Sequence, residues 1–169
     1  IKAGKPFVGI HAATDTFQSP EGGPINPYTE MIGGQFKGHG AQFKGTVRVV
    51  SPEHPTMANQ ENPWDVREEW YYFTNLNKEK MHVLAVLDAG RERSRQPAYN
   101  TPNYPIIWCR AYGDGRVYYN GLGHREDTVW DNAMFQKTIV DAINWARGEG
   151  PLMAEPNYDK VVPDTIETP

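Results

Sequence analysis

Five histidines, His11, His39, His54, His82 and His124, are the residues of this 169-residue chain best suited to proton transfer or metal binding. No two stand at a helical ligand spacing such as His-x-x-x-His, so a metal site would have to be assembled from separate loops. His11 directly follows the apolar run Phe7-Val8-Gly9-Ile10. A residue at such a strand end is raised to the top of a sheet, as in a nucleophile elbow. The plainer alternative is a histidine donating to a neighbouring carbonyl. His124 closes Gly121-Leu122-Gly123-His124, where the glycines let the backbone turn sharply toward a ligand. His39 lies between Gly38 and Gly40, on what reads as a constrained, exposed, glycine-rich turn over residues 35–40. His54, between Glu53 and Pro55, reads as a turn residue, and His82, opening an apolar run, as structural.

The carboxylates nearest these segments are Asp15, Glu68 and Glu69. If residues 68 and 69 are extended they point to opposite faces, so at most one can meet the histidines. The alternative for such a doublet is a solvated pair. A carboxylate beside an imidazole orients it and raises its basicity. The candidate catalytic set is therefore His11, Asp15, His39, Glu69 and His124, gathered at the C-terminal edge of a sheet. In it one histidine acts as general base, a carboxylate orients it, and another histidine polarises a substrate oxygen or binds a metal. Two or three of His11, His39 and His124 with Glu69 would make a mixed nitrogen and oxygen set suited to zinc or another divalent ion. Trp64, Trp70, Tyr71, Tyr72 and Phe73 read mostly as core, with room for one or two rings to stack on a sugar. Cys109, in the apolar stretch 106–109, reads as a buried small hydrophobe rather than a nucleophile. A Gly-x-Ser-x-Gly elbow, a phosphate-binding loop and a dinucleotide glycine fingerprint are all absent from the sequence.

These residues need elements to position them. Residues 1–6 read as the last turn of a helix, with Gly4 left-handed and Pro6 as the stop. The run 7–10 lacks alternation and predicts a parallel strand buried on both faces. Asn26-Pro27 predicts an N-cap and first helical position, with a short helix ending at Gly33-Gly34. Residues 42–50 alternate and predict a half-exposed strand; 51–55 predict a turn, 64–73 an extended aromatic stretch, and 81–87 an apolar strand. Residues 90–103, with Arg91, Arg93 and Arg95, read as a mobile surface loop. Gly113-Asp114-Gly115 between 105–112 and 116–121 predicts a β-hairpin. Residues 127–147 predict the clearest helix, with Ala133, Ile139, Val140, Ile143 and Trp145 in its apolar stripe. From 151 to 169 the composition turns to Pro, Glu, Asp and Thr and reads as a tail or linker.

Bulk properties bound the class. The hydrophobic fraction, 38%, is enough for a core. A formal charge of −4 lacks the basic footprint of nucleic-acid binding, and no run is long enough to span a bilayer. A lone cysteine excludes an internal disulfide.

The segments 7–17, 33–39, 47–55, 68–71, 82–84, 105–108, 112–119 and 121–124, taken in order, resemble the ThuA-like (trehalose utilisation) family. The resemblance implies a flavodoxin-like, three-layer α/β sandwich related to class I glutamine amidotransferases. It divides the chain into a ThuA-like domain over 1–150 and the tail 151–169. It also implies carbohydrate metabolism, with trehalose or a related disaccharide as the small-molecule partner. In the amidotransferases a cysteine occupies the strand-end elbow; His11 stands there in this chain, which speaks against thiol-dependent glutamine hydrolysis. The expected enzyme is a hydrolase or lyase acting on sugars, and the alternative is a non-catalytic sugar-binding or assembly module of a larger protein. Further domains or a homo-oligomer would suit the linker-like tail, and a periplasmic or extracellular place is slightly favoured. Because 7–10 expects neighbours on both edges, the chain is expected to lack the opening βα units of its domain and to need them, or another chain, for stable folding.

Overall fold

A computed structural model of the chain describes residues 1–166, without the side chains of Thr128 and Val129. The strands are β1 (Phe7–Ile10), β2 (Gln35–His39), β3 (Phe43–Val49), β4 (Trp64–Glu68), β5 (Tyr71–Thr74), β6 (His82–Asp88), β7 (Tyr104–Tyr112) and β8 (Gly115–Asn120). The α-helices are α1 (Pro27–Ile32), α2 (Glu92–Arg95), α3 (Ala133–Ala146) and α4 (Tyr158–Val161). Six strands form one sheet in the order β1-β8-β7-β6-β3-β4, while β2 and β5 form a separate antiparallel ribbon.

Strand direction fixes where the loops emerge. β1 pairs with β8 in parallel, and the remaining neighbours in the large sheet pair antiparallel. It follows that β1, β8, β6 and β4 all run the same way, with β7 and β3 opposed. Their C-terminal ends share one edge of the sheet, the edge at which open α/β sheets bind ligands. That edge carries His11 after β1, residues 121–124 after β8, and Glu69 after β4.

Both faces of the sheet are covered. On one, Phe135, Ala142 and Trp145 of α3 pack with Val47, Leu84, Ile107 and Tyr118. On the other, Met31 and Ile32 of α1 pack with Met81, Val83, Trp108 and Tyr119, and α4 adds Tyr158 and Val161. The expected three-layer α/β arrangement is therefore present. Local signals behaved as their chemistry requires. Asn26 caps α1 by accepting from the N–H groups of Tyr28 and Thr29. The β7–β8 hairpin turns through Gly113-Asp114, with positive φ (62°) at Gly113 alone among the two. That pattern belongs to a type II′ turn, in which only the first loop residue needs that conformation.

Among the described residues β8 is the one strand partner of β1, whose residues are mostly half-buried. Several expectations are corrected. Residues 35–39 are strand β2, not a turn, because the ribbon with β5 supplies their backbone partners. The extended stretch 64–73 breaks at Glu69-Trp70, sending β4 and β5 into different sheets. Residues 90–103 hold α2 and a helical turn, Pro97–Tyr99, anchored by the fully buried Tyr99. Its hydroxyl donates to the Trp70 carbonyl (2.8 Å) and accepts from the Gly40 N–H (2.8 Å). The helix predicted from 127 is interrupted: Glu126–Trp130 form a π-helical turn, and α3 starts at Ala133, capped by Asn132. Its buried face is Phe135, Thr138, Ala142, Trp145 and Ala146, leaving Val140 and Ile143 exposed. Within the stretch read as a tail, Asn157 ties the chain to the sheet: its side chain accepts from the Val83 N–H (2.6 Å) and donates to Ser51 Oγ and the Val83 carbonyl.

Two histidines serve this packing. His54 sits in its turn as expected, yet it is wholly buried. Its Nδ1 accepts from the Thr56 N–H, which leaves Nε2 to donate toward Cys109 Sγ at 3.5 Å. His82 opens β6, and its Nδ1 donates to the Glu155 carbonyl. Cys109 is buried, and burial pushes its thiol well up, as expected of a small hydrophobe.

Burial, followed by the charges of His82 and Arg116, lowers His54 from 6.5 to about 3. As pH falls, the unfolded chain takes up this proton first. The stability contributed by neutral His54 is complete above about pH 6.5 and drains away toward pH 3. Melting temperatures recorded between pH 7 and 4 should therefore fall. The variant His54→Asn, which keeps an acceptor for Thr56, should lie lower at pH 7 but show a shallower slope. An unchanged slope would remove His54 as the cause.

Candidate functional site

The register of the parallel pair places the first two site segments. Ile10 stands opposite Asn120, so His11 and Gly121 leave the sheet together. His11 opens a 3₁₀ turn, His11–Asp15, with a positive φ of 40°. A non-glycine residue in that region is held there by its surroundings. Here the His11 carbonyl accepts from the Tyr119 and Thr14 hydroxyls (2.9 and 3.3 Å), and its Nδ1 lies 2.9 Å from the Gly121 carbonyl. The ring also packs on Tyr71, with centroids 4.0 Å apart. The elbow geometry and the carbonyl contact, weighed as alternatives from sequence, coexist.

Glu69 is the centre on which the histidines converge. Its Oε1 lies 3.5 Å from His11 Nε2 and 3.6 Å from His124 Nδ1; its Oε2 lies 3.4 Å from His39 Nδ1. His39 arrives from the ribbon, because β2 pairs it with Tyr71, two residues past Glu69. Asp15 does not join this group by contact. It is exposed and accepts from Gln18 Nε2. Its charge nevertheless reaches Tyr71: burial first, then Glu69, Asp15 and Glu68, push that phenol up to about 12. Tyr71 therefore stays protonated and serves as a flat, neutral wall rather than a base. His11, Glu69 and His124 can offer ligand atoms that all lie within 4.8 Å of one another, the arrangement a metal ion would need.

Hydrogen-bond direction sets the tautomers. A carbonyl only accepts, so His11 Nδ1 and His39 Nδ1, each 2.9 Å from a carbonyl (Gly121 and Gly40), carry hydrogen. In the neutral rings the Nε2 atoms then bear lone pairs. That of His39 belongs to a partly exposed side chain (42%), whereas the His11 side chain is buried.

Sequence reasoning left out two contributors. The first is Glu68, named among the nearby carboxylates but not placed in the candidate set. It is fully buried. Its Oε2 accepts from the Gly123 and His124 N–H groups (2.9 and 3.2 Å), and its Oε1 from the Glu69 N–H (2.8 Å). One carboxylate thus ties the β4 end to the loop that carries His124. Gly123 is needed there: its φ is 120°, and a Cβ would stand 2.7 Å from Ile10 Cγ2. The signal available was the adjacency of two acids at a strand end. The second is Trp130, 40% exposed, whose indole N–H donates to the Gly123 carbonyl (3.1 Å) and whose ring edge packs on Phe135. By contrast Trp64 and Trp70 are core.

Replacing Glu68 by Gln keeps the shape but turns one acceptor into a donor facing N–H groups. Unfolding by denaturant should show a loss of about 3 kcal/mol, as expected for breaking buried bonds to a charged group. A midpoint equal to that of the unaltered chain would contradict the bridging role.

No curated protein matches the chain. A ThuA-like protein from Bacteroides uniformis superposes with a TM-score of 0.67 at 21% identity, over 95% of this chain and 64% of its own. One from Parabacteroides merdae gives 0.67 at 17% identity, over 99% and 69%. A β-galactosidase from Bacillus circulans gives 0.56 at 13% identity over 92% of this chain but 20% of its own. At these identities the likeness is one of fold, and it fits the flavodoxin-like architecture. This chain spans about two thirds of the length of the two ThuA-like structures. The family described as "ThuA: Trehalose utilisation" matches residues 1–146, and the chain belongs to that family.

Proposed function

We propose that this chain acts on a sugar or modified sugar, of the trehalose or related disaccharide class, through the histidine–carboxylate site centred on Glu69. The observation that carries this reading is the convergence of His11, His39 and His124, from three separate segments, on one carboxylate. Family membership supports the sugar class. Trp130 supports it too, since an exposed indole held one residue from His124 offers a flat apolar face to sugar C–H groups.

Roles follow from exposure and tautomer. His39 is the general base: its Nδ1–H is shared between the Gly40 carbonyl and Glu69, and its Nε2 lone pair belongs to a partly exposed ring. Glu69 orients that ring and stabilises the imidazolium that forms when the proton arrives. His124, on the partly exposed rim beside Glu69, polarises the substrate oxygen. A reaction beginning with proton removal, hydrolytic or eliminative, suits this set. Thiol-dependent glutamine hydrolysis does not suit it, because the elbow holds His11 and Cys109 is buried in β7 with its thiol pushed up.

Turnover of a panel of disaccharides and their oxidised derivatives tests the reading. His39→Ala should lower kcat/KM by roughly 10²- to 10⁴-fold, the usual contribution of a positioned base, with the thermal melt unchanged. If sugars bind in a calorimeter without turnover, and binding ignores His39→Ala, the chain is a binding module instead.

A further inference from the structure

We propose that His11 Nε2, His124 Nδ1 and a Glu69 carboxylate oxygen bind one divalent transition-metal ion of the zinc type, with open positions for the hydroxyl or carbonyl oxygens of a sugar. This deepens the reading given under the proposed function and rests on it for the sugar, though not for the ion.

The first observation is an unsatisfied buried atom. His11 is 6% exposed, and its Nε2 has no hydrogen-bond partner among the described residues. The Gly121 carbonyl holds the hydrogen on Nδ1, so the neutral ring aims a lone pair into the corner where Glu69 Oε1 stands 3.5 Å away. A lone pair facing a carboxylate is repulsive unless a positive charge lies between them. A proton on Nε2 would meet that need for this pair, but His124 Nδ1 also converges on Oε1, at 3.6 Å. One cation at the common point satisfies all three atoms.

The second observation is distance. Ligands held about 2.0–2.1 Å from a zinc-type ion at tetrahedral angles stand roughly 3.4 Å apart. The two separations from Oε1 are 3.5 and 3.6 Å, and the whole set lies within 4.8 Å. Little movement is needed. Two imidazoles and a carboxylate form a three-ligand set of the kind that leaves room for water or substrate. Mixed nitrogen and oxygen donors suit zinc, cobalt or iron rather than calcium or magnesium.

The third observation lies behind the ligands. A metal-bound histidine usually donates its other ring N–H to a carbonyl or carboxylate, which fixes tautomer and orientation. His11 does so to Gly121, and Tyr71 packs on its ring. The Glu68 carboxylate fixes the backbone N–H of His124 and of Glu69. His39 contacts the other oxygen of Glu69 and remains free to act as base.

The full chain, stripped with chelator and titrated with Zn²⁺ in a calorimeter, should take up one ion per chain. Co²⁺ in its place should give the visible absorption of a low-coordinate site. His124→Ala on the rim and Glu69→Gln should each weaken binding by about 100-fold or more, and His11→Ala likewise provided its melt stays cooperative. His39→Ala should bind as the unaltered chain does while losing turnover, which separates this proposal from the one it rests on. The proposal is overturned if no stoichiometric ion binds, or if the His124 and Glu69 variants bind as tightly as the original.

Discussion

The buried Glu68 carboxylate is the contact through which the two halves of the site hold each other. Its oxygens accept from the backbone of Glu69 on one side and of Gly123 and His124 on the other. A buried charge survives only when hydrogen bonds replace its hydration, and three N–H groups do so here. Because those donors belong to segments about 55 residues apart in sequence, the interaction is long-range by construction. It aligns Glu69 with His124 through their backbone N–H groups. Loss of that carboxylate would leave orphaned N–H groups in both segments at once.

The sheet supplies the rest of the alignment. A parallel β1–β8 pair, with Ile10 opposite Asn120, delivers His11 and Gly121 to the same place. Their exit together lets one imidazole N–H meet one carbonyl, and that bond decides which nitrogen faces Glu69. The ribbon β2–β5 then closes the site from the side, carrying His39 and laying Tyr71 on His11. Tyr99 anchors this ribbon to the loop above it through Trp70 and Gly40, the residues flanking Tyr71 and His39. Chain order is scrambled in space, yet each contact is reached by a strand end or by a register.

What could be read from the sequence follows from range. Local chemistry was legible: the Asn26 cap, the hairpin at Gly113-Asp114, the alternation of β3 and the strand-end place of His11 and His124 are decided within a few residues. Long-range pairing was not. Residues 35–39 look like a glycine-rich turn until β5 is there to pair with them. Val140 and Ile143 satisfy a helical stripe, but the buried face passes through Thr138 and Ala142, small residues that let α3 approach the sheet. Within the site, residue types pointed to His11, His39, His124 and Glu69. Glu68 escaped because a buried carboxylate is recognisable only by the donors around it, and Asp15 was included because nothing local distinguishes it from Glu69.

The histidines themselves show why residue type alone does not make a site. His54 has both nitrogens engaged inside the core, one accepting from Thr56 and one directed at Cys109, and burial keeps it neutral. His82 resembles His11 in that Nδ1 donates to a carbonyl while Nε2 is buried without a partner. Yet no carboxylate stands within ion-pair reach of His82 among the described residues, and its strand begins at the edge opposite Glu69. An unsatisfied nitrogen with no carboxylate beside it is a cost to the fold. The same nitrogen aimed at a carboxylate that two other imidazoles also approach is a place suited to a positive charge. The difference between the two lies in which end of which strand the residue occupies, and that is set by the pairing of β8 with β1.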